Sequence, residues 1–251
     1  MMRPVRPFLL LATRAEDAVA DAEYRAFLRF GALAPDQLVR ARLESAPLDE
    51  LLPGLDLTAY SGVVVGGSPY TSSDPPGEKS PVQLRVEAEL ERVIGDVLKH
   101  DVPFLGACYG ISTLGRYLGG VVDDTYAEPV GAVPVTLTAD GVDHPLLAGV
   151  PQTFLAFVGH KEALREVPTG AVRLAGSEAC PVQMFAVGEH QFATQFHPEL
   201  DVPGIVERIY AYRYAGYFHP DEVEALIARV SAADVVWPAR ILGNFTARYA
   251  S

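Results

Sequence analysis

The chain has 251 residues, and its 20 basic and 32 acidic side chains give a formal net charge of -12. That charge repels phosphate backbones and anionic membranes, which argues against nucleic acid and membrane as partners. Two cysteines do not suggest a disulfide scaffold, and the first apolar run, Phe8 to Ala12, is too short for a signal peptide or a membrane span. We therefore expect a soluble, cytoplasmic protein with one domain.

The first half of the chain alternates apolar runs of strand type with segments of helical spacing. Continuous apolar runs predict strands that are buried on both faces. They are PFLLLA (7–12), QLVRARL (37–43), YSGVVVGGS (60–68) and VPFLG (102–106), with helices predicted over 18–30, 82–100 and 111–120. This order predicts an α/β fold with a mostly parallel central sheet flanked by helices.

The second half of the chain has a different texture. Short β-rich runs between residues 132 and 197 predict antiparallel strands added to the sheet: AVPVTLT, QTFLAFVGH, AVRLAGS, PVQMFAVG and QFATQFH. From Pro203 to Ser251 the pattern is helical, in two or three segments broken near His219-Pro220 and Trp237-Pro238. We predict a single domain over 1–251, with a core of about 7–217 and a helical extension of about 218–251.

One cysteine lies between two glycines at the junction of a predicted strand and a predicted helix. Gly106-Ala-Cys108-Tyr-Gly110 has the G-x-C-x-G form of a nucleophile elbow, in which small flanking residues permit a sharp turn that exposes the central side chain. Such a cysteine begins a helix, whose N-terminal dipole favours thiolate and lowers the thiol pKa. The backbone N–H of Tyr109 is then a candidate oxyanion donor.

A histidine that follows the last predicted strand is the candidate base for this cysteine. His197 opens the segment HPEL, and Pro198 favours an extended conformation at His197. Residues two apart in an extended segment point the same way, so Glu199 is expected to orient the imidazole. Alone, this tripeptide is a weak signal; together with the elbow it predicts a Cys-His-Glu triad.

Three motifs in this order resemble those of class I glutamine amidotransferases. VVVGGSP, FLGACYG and QFHPEL carry the resemblance, which is greatest to stand-alone proteins that are similar to the amidotransferase part of GMP synthase. The resemblance implies a flavodoxin-like fold and hydrolysis of the glutamine side-chain amide through a γ-glutamyl thioester on Cys108. It also implies that Gly67 completes the oxyanion hole with Tyr109.

The same resemblance suggests substrate contacts and exposes two departures. Gly66, His160 and Lys161 align with family stretches near the substrate. Ser112 stands where members of the family commonly carry a substrate-binding glutamine, four positions after the cysteine. The family sequence Glu-Ile-Gly appears here as EPVG, with Pro129 at the glutamate position, so we expect Glu128 to be displaced or exposed.

Three functions stay open at the level of sequence. The first is glutamine hydrolysis with release of ammonia to a separate synthetase; the second is hydrolysis of γ-glutamyl peptides by the same triad; the third is a catalytically idle regulatory or scaffold subunit. The other histidines lack ligand spacing, so we expect no metal and no cofactor. The C-terminal aromatic residues, Tyr210, Tyr212, Tyr214, Tyr217 and Trp237, are expected to pack within the chain, with a homodimer surface as the alternative.

Overall fold

A nine-stranded mixed sheet forms the centre of the computed structural model, which describes residues 6–250. Residues 1–5 and 251, which belong to the predicted domain, lie outside this range. The strands of this sheet are β1 (Phe8–Ala12), β2 (Leu38–Arg42), β3 (Gly62–Val65), β4 (Phe104–Ala107), β6 (Glu128–Leu137), β7 (Thr153–His160), β9 (Ala171–Gly176), β10 (Met184–Val187) and β11 (Gln191–Thr194). β5 (Val122–Asp123) and β8 (Ala163–Leu164) form a separate antiparallel pair. The order in the large sheet is β2-β1-β3-β4-β11-β10-β9-β6-β7.

Eight α-helices surround the sheet within residues 6–250. They are α1 (Asp17–Phe30), α2 (Leu48–Leu51), α3 (Pro81–Lys99), α4 (Tyr109–Tyr117), α5 (Ala139–Val142), α6 (Val202–Ala211), α7 (Val223–Ser231) and α8 (Trp237–Tyr249). Across the same residues, no helix combines the length and the apolar character that a bilayer crossing requires. The predicted fold class, a mostly parallel core flanked by helices with added antiparallel strands and C-terminal helices, is confirmed.

The central strands are apolar throughout because each buries both of its faces. In β1, Leu9 and Leu11 belong to one core with α3 and α4, whereas Phe8 and Leu10 belong to a second core on the opposite face with α1 and α8. Alternate residues of a strand point to opposite faces. In a strand that is covered on both sides, every side chain is therefore buried, which favours apolar residues at each position. A third core joins α6 and α7 to Phe157 of β7.

One strand runs differently from the prediction. β11 was predicted as an added antiparallel strand, and it does pair antiparallel with β10, but it pairs parallel with β4. Thr194 of β11 lies beside Ala107 of β4, so both strands end at the same edge of the sheet. The short apolar run carries no information about strand direction, which is decided by the neighbour it meets.

The aromatic residues of the C-terminal end divide between packed and exposed positions. Tyr212 is buried and Tyr217 is half-buried, whereas Tyr210, Tyr214 and Trp237 are exposed, so the expectation of packing within the chain is wrong for these three. The main aromatic anchor of this end is instead Phe245 of α8, which is fully buried. Its ring centroid lies 5.9 Å from that of Phe8 and 6.4 Å from that of Phe192, so α8 is bound to the face of the sheet.

Replacement of Phe245 tests the contribution of α8 to the fold. Phe245→Ala leaves a cavity between α8 and the sheet and should lower the free energy of unfolding by about 3–5 kcal/mol. Tyr214→Ala removes an exposed ring and should change it by no more than about 0.5 kcal/mol. Urea unfolding measures both, and similar losses in the two variants would contradict the packing role of α8.

Candidate active site

Cys108 occupies a sharp turn between β4 and α4. Its backbone has a φ of 53° and a ψ of -92°, a left-handed conformation that is costly for a residue with a side chain. The two glycines of the motif touch, since a Cβ on Gly106 would lie 2.7 Å from the carbonyl carbon and oxygen of Gly110. A Cβ on Gly110 would lie 3.0 Å from the carbonyl oxygen of Val65. The G-x-C-x-G spacing therefore follows from the close approach of backbones around the cysteine.

The parallel neighbour of β4 brings His197 to the same edge of the sheet. The amide N of Cys108 donates to the carbonyl oxygen of Thr194 at 2.8 Å, which extends the pairing of the two strands by one residue. His197 and Cys108 both line one cavity above this edge. His197 Nδ1 lies 2.8 Å from Glu199 Oε1, and both residues are buried. The expected pairing of His197 with Glu199 is thus present in the geometry.

A buried ionic network that the sequence analysis missed lies behind this pair. Arg208 of α6 donates through Nη2 to Glu199 Oε1 at 2.9 Å and to Glu23 Oε1 at 3.2 Å, and its Nη1 lies 3.0 Å from His197 Nδ1. Arg14 donates to the same Glu23 oxygen at 2.9 Å. Two guanidinium groups thus balance two carboxylates in a region with little water. Glu23 lies on the apolar side of α1, and Arg208 lies on the apolar side of α6. Charged residues at these apolar positions are the sequence feature that could have predicted the buried network.

Arg208 gives the imidazole a second partner at the same nitrogen. A carboxylate only accepts a hydrogen bond and a guanidinium only donates one. A protonated Nδ1 therefore pairs with Glu199, whereas an unprotonated Nδ1 pairs with Arg208. Because Glu199 and Arg208 also bond each other, the site holds the ring in the same orientation in either tautomer.

Burial sets the protonation states of this cluster. Desolvation raises the pKa of the Cys108 thiol to about 12 and lowers the pKa of the His197 imidazole. Burial alone would raise the pKa of the Glu199 carboxyl, but His197 and Arg208 hold it well below its usual range. Both shifts favour the neutral forms of the two groups, a thiol and an uncharged imidazole. The expectation of a lowered thiol pKa is therefore wrong here, because desolvation outweighs the lowering effect of Arg14 and Arg208 on the pKa.

The glycine pair after β3 separates into two roles. A Cβ on Gly67 would lie 2.7 Å from His197 Cε1 and 2.6 Å from Arg14 Nη2, so only glycine fits beside the imidazole. A Cβ on Gly66 would instead meet the Glu23 carboxylate at 3.0 Å, and Gly66 lines neither of the two cavities that contain Cys108. Tyr109 is the first residue of α4, where backbone N–H groups have no acceptor within the helix.

A second, polar cavity opens on the other side of Cys108. It contains four residues that the sequence analysis named as substrate contacts or as an oxyanion donor: Tyr109, Ser112, His160 and Lys161. The sequence analysis missed Gln195, which also lines this cavity and is almost fully buried. Between residues 6 and 250 its Oε1 has no hydrogen-bond partner. A buried oxygen without a donor beside the cysteine is a ready acceptor for a ligand.

Glu162 is a further residue of this cavity that the sequence analysis passed over, although it directly follows Lys161. Its carboxylate accepts from Ser72 Oγ at 2.7 Å, from Ser72 N at 3.0 Å and from Ser73 N at 2.7 Å. Lys161 is exposed; its Nζ donates to Ala215 O at 3.0 Å and lies 4.5 Å from the ring centroid of Tyr217. These contacts join the segment after β3 and the segment after α6 to the end of β7.

Glu128 is neither displaced nor exposed, which corrects the expectation drawn from the EPVG departure. It is buried, and its Oε2 lies 2.9 Å from His160 Nε2 and accepts from Gln183 Nε2 at 2.6 Å. The register of β6 against β7 shifts between Glu128 and Gly131. This β-bulge absorbs the extra residue, so that Glu128 still lies opposite His160.

Three residues with metal-ligating side chains lie together near this pair. The ligand atoms of Glu128, His160 and Cys180 are all within 4.8 Å of one another. Each already has a partner: Cys180 Sγ lies 3.7 Å from Val182 O, and His160 Nδ1 lies 3.0 Å from Glu162 O. Burial also raises the pKa of the Cys180 thiol to about 12, which disfavours the thiolate that binds metal best. The cluster fits a hydrogen-bonded core that positions His160 better than a metal site.

Comparison with known proteins identifies the family of this chain. A sequence model of glutamine amidotransferase class-I matches residues 37–203. The chain belongs to the class I glutamine amidotransferase family. A GMP synthase [glutamine-hydrolyzing] of Porphyromonas gingivalis is 30% identical over 146 residues, which are 58% of this chain and 26% of that protein. The chain thus spans about a quarter of the length of this curated relative.

Solved structures share the fold over nearly the whole chain. A glutamine amidotransferase of Thermotoga maritima superposes with a TM-score of 0.75 at 22% identity, covering 97% of this chain and 98% of that one. A Thermoplasma acidophilum protein, named as a putative GMP synthase subunit, gives a TM-score of 0.58 at 20% identity, covering 84% of this chain and 98% of that one. At these identities the likeness concerns the fold.

The raised pKa of the Cys108 thiol predicts slow alkylation without substrate. In a Cys180→Ala protein Cys108 is the single thiol, and the rate with iodoacetamide should keep rising through pH 9, because the thiolate fraction still increases there. N-acetylcysteine serves as the reference, since an ordinary thiol bends near its pKa of about 8.5. A rate that reaches its plateau near pH 7 would show a lowered pKa instead.

Removal of the Arg208 charge tests its effect on the imidazole. Burial and the Arg208 guanidinium both lower the pKa of His197, so Arg208→Gln should raise that pKa towards its ordinary value of about 6.5. Titration of the His197 ring by NMR measures the change. Arg229→Gln, at an exposed position on α7, is the matched control and should leave the pKa of His197 unaltered. If Arg208→Gln also leaves this pKa unaltered, Arg208 has no influence on the imidazole.

Proposed function

We propose that this protein hydrolyses the side-chain amide of glutamine or of a γ-glutamyl compound, with Cys108 as nucleophile, His197 as base and then acid, and Glu199 as the residue that orients the imidazole. The observation that carries the proposal is the shared cavity: a cysteine at a strained elbow and a histidine bonded to a buried carboxylate line the same space. These are the parts that nucleophilic amide hydrolysis requires.

The reaction begins from a neutral thiol and a neutral imidazole. As Cys108 Sγ attacks the γ-carbonyl carbon, its proton passes to His197, so that no free thiolate has to persist in the desolvated cavity. The imidazolium that forms is stabilised by Glu199, which lies 2.8 Å away. Arg208 acts as a positioning residue, because it bonds the orienting carboxylate without reaching the reacting atoms.

The negative oxygen of the tetrahedral intermediate needs donors at the turn. The backbone N–H of Tyr109 at the start of α4, together with that of Gly67 beside His197, is the proposed pair. The confined space around Gly67 supports this role, since a side chain there would collide with His197. No substrate role is proposed for Gly66, which packs against Glu23. Among the remaining candidates, Ser112, His160 and Lys161 border the polar cavity.

The fate of the released ammonia distinguishes two candidate functions. The curated relative is named GMP synthase [glutamine-hydrolyzing], and the Thermoplasma acidophilum neighbour is named as a GMP synthase subunit. We therefore propose, as the first candidate, delivery of ammonia to a separate synthetase chain in the cytoplasm. The second candidate, hydrolysis of γ-glutamyl amides without a partner, is favoured by the apolar cavity beside His197.

Replacement of the cysteine tests the proposed chemistry. Cys108→Ala should lower glutamate release from glutamine at least about 10³-fold, since the covalent step is lost. Glutamate is measured with a coupled dehydrogenase assay. Cys180→Ala, the matched control at the other cysteine, should retain most of the activity. If Cys108→Ala keeps the activity of the wild type, Cys108 is not the nucleophile and the proposed chemistry is wrong. If the wild type releases glutamate from neither glutamine nor γ-glutamyl dipeptides, the chain is the idle subunit of the third hypothesis.

A further inference from the structure

Cys108 lies where two cavities of opposite character meet. Both cavities are bordered by Cys108, Ser68 and Tyr217. One is the polar cavity with Ser112 and Gln195. The other contains His197 and is partly open to solvent. A substrate attacked by Cys108 therefore has one side available in each cavity.

The polar cavity has the chemistry of an amino-acid head group. Gln195 presents a buried oxygen with no donor among residues 6–250, which suits the α-ammonium group of a glutamyl substrate. Lys161 borders the same cavity and supplies the opposite charge for an α-carboxylate. The glutamyl part of the substrate accordingly belongs on this side of Cys108.

The position of His197 fixes the side of the leaving group. His197 borders the apolar cavity and does not border the polar one. In the proposed reaction the imidazole that takes the thiol proton returns it to the departing nitrogen. The nitrogen must therefore lie on the side of His197, and any group attached to it projects into the apolar cavity.

The walls of that cavity are suited to a hydrocarbon group. They include Val130 of β6, Val158 of β7, Leu200 before α6, Ile205 and Ile209 from α6, and Phe218, and Arg14 and Arg208 also border the cavity. Ammonia has no apolar surface to bury against these side chains. An alkyl or aryl group on the nitrogen would remove both its own surface and theirs from water, which is favourable in proportion to the area buried.

From this arrangement we infer that the preferred substrates are γ-glutamyl amides whose amine carries an apolar group, with the glutamyl part in the polar cavity and the amine in the cavity of His197. This inference rests on the proposed function and specifies the leaving group of its second candidate, the hydrolysis of γ-glutamyl amides. The amine has two sources with the same chemistry, an apolar amino acid in a γ-glutamyl dipeptide or a simple apolar amine.

The reaction requires only the substrate and water. The bond from Cys108 Sγ to the γ-carbonyl carbon forms, the bond from that carbon to nitrogen breaks, and the thiol proton moves through His197 to the leaving amine. Water then attacks the thioester and gives one proton to His197, which returns it to the sulfur. The products are glutamate and the free amine.

Four substrates separate the alternatives. Glutamine and γ-glutamylglycine have no apolar group on the leaving nitrogen, whereas γ-glutamylleucine and γ-glutamylisopentylamide share the same branched chain with and without a carboxylate. We expect kcat/KM, measured by glutamate release, to be at least about tenfold higher for one or both apolar amides than for glutamine and γ-glutamylglycine. The ratio between the two apolar amides identifies the source of the amine.

A substitution in the wall of the apolar cavity tests whether this cavity causes the preference for apolar amides. Val130→Phe fills space beside β6, so the ratio of kcat/KM for the better apolar amide to that for glutamine should fall at least about tenfold. Val130→Ala, which enlarges the cavity and avoids overpacking, should move the preference towards bulkier amines. Val142→Phe, at an exposed position on α5, is the matched control and should preserve the ratio.

The outcomes distinguish this inference from the function on which it rests. If glutamine is hydrolysed as well as or better than both apolar amides, or if Val130→Phe and Val130→Ala leave the ratio unaltered, the apolar cavity does not receive the leaving group and the inference is overturned while the proposed function stands. If the wild-type protein hydrolyses none of the four, both are overturned.

Discussion

The parallel pairing of β11 with β4 is the constraint on which the candidate site depends. It aligns Thr194 with Ala107, so the residues that follow the two strands emerge at one edge of the sheet. Open parallel sheets carry their functional groups at this edge. Cys108 and His197 are far apart in the sequence, and without this pairing neither would have a partner. The β-bulge at Glu128 serves the same edge, because it keeps His160 beside the polar cavity.

The second requirement is charge balance around a buried imidazole. A carboxylate placed alone beside His197 would be costly to desolvate. Arg208 offsets the charge of Glu199, and Arg14 with Arg208 offsets that of Glu23. Residues from α1, α6 and the end of β1 thus form one ionic cluster. Its net neutrality allows His197 to stay uncharged until a proton arrives from the thiol.

The division of the space around Cys108 connects the fold to selectivity. The polar cavity is formed mainly by the segments that follow β3, β4, β7 and β11, whereas α6 and the last two strands of the sheet, β6 and β7, form much of the apolar one. The parallel core therefore provides the cavity proposed for the glutamyl group. Elements outside the parallel core form the walls of the cavity proposed for the leaving group. A change in these outer elements can alter the leaving group without disturbing the elbow.

The sequence by itself determined most of the longer strands and helices, the elbow at Cys108 and the pairing of His197 with Glu199, because each depends on neighbours within a few residues. Apolar periodicity, glycines at a cramped turn and an extended His-Pro-Glu step are local features. Only the tertiary structure decided the direction of β11, the burial of Glu128, the raised thiol pKa and the ionic cluster of Arg14, Glu23 and Arg208. These follow from desolvation and from contacts between distant segments, and no local pattern records which segments will meet.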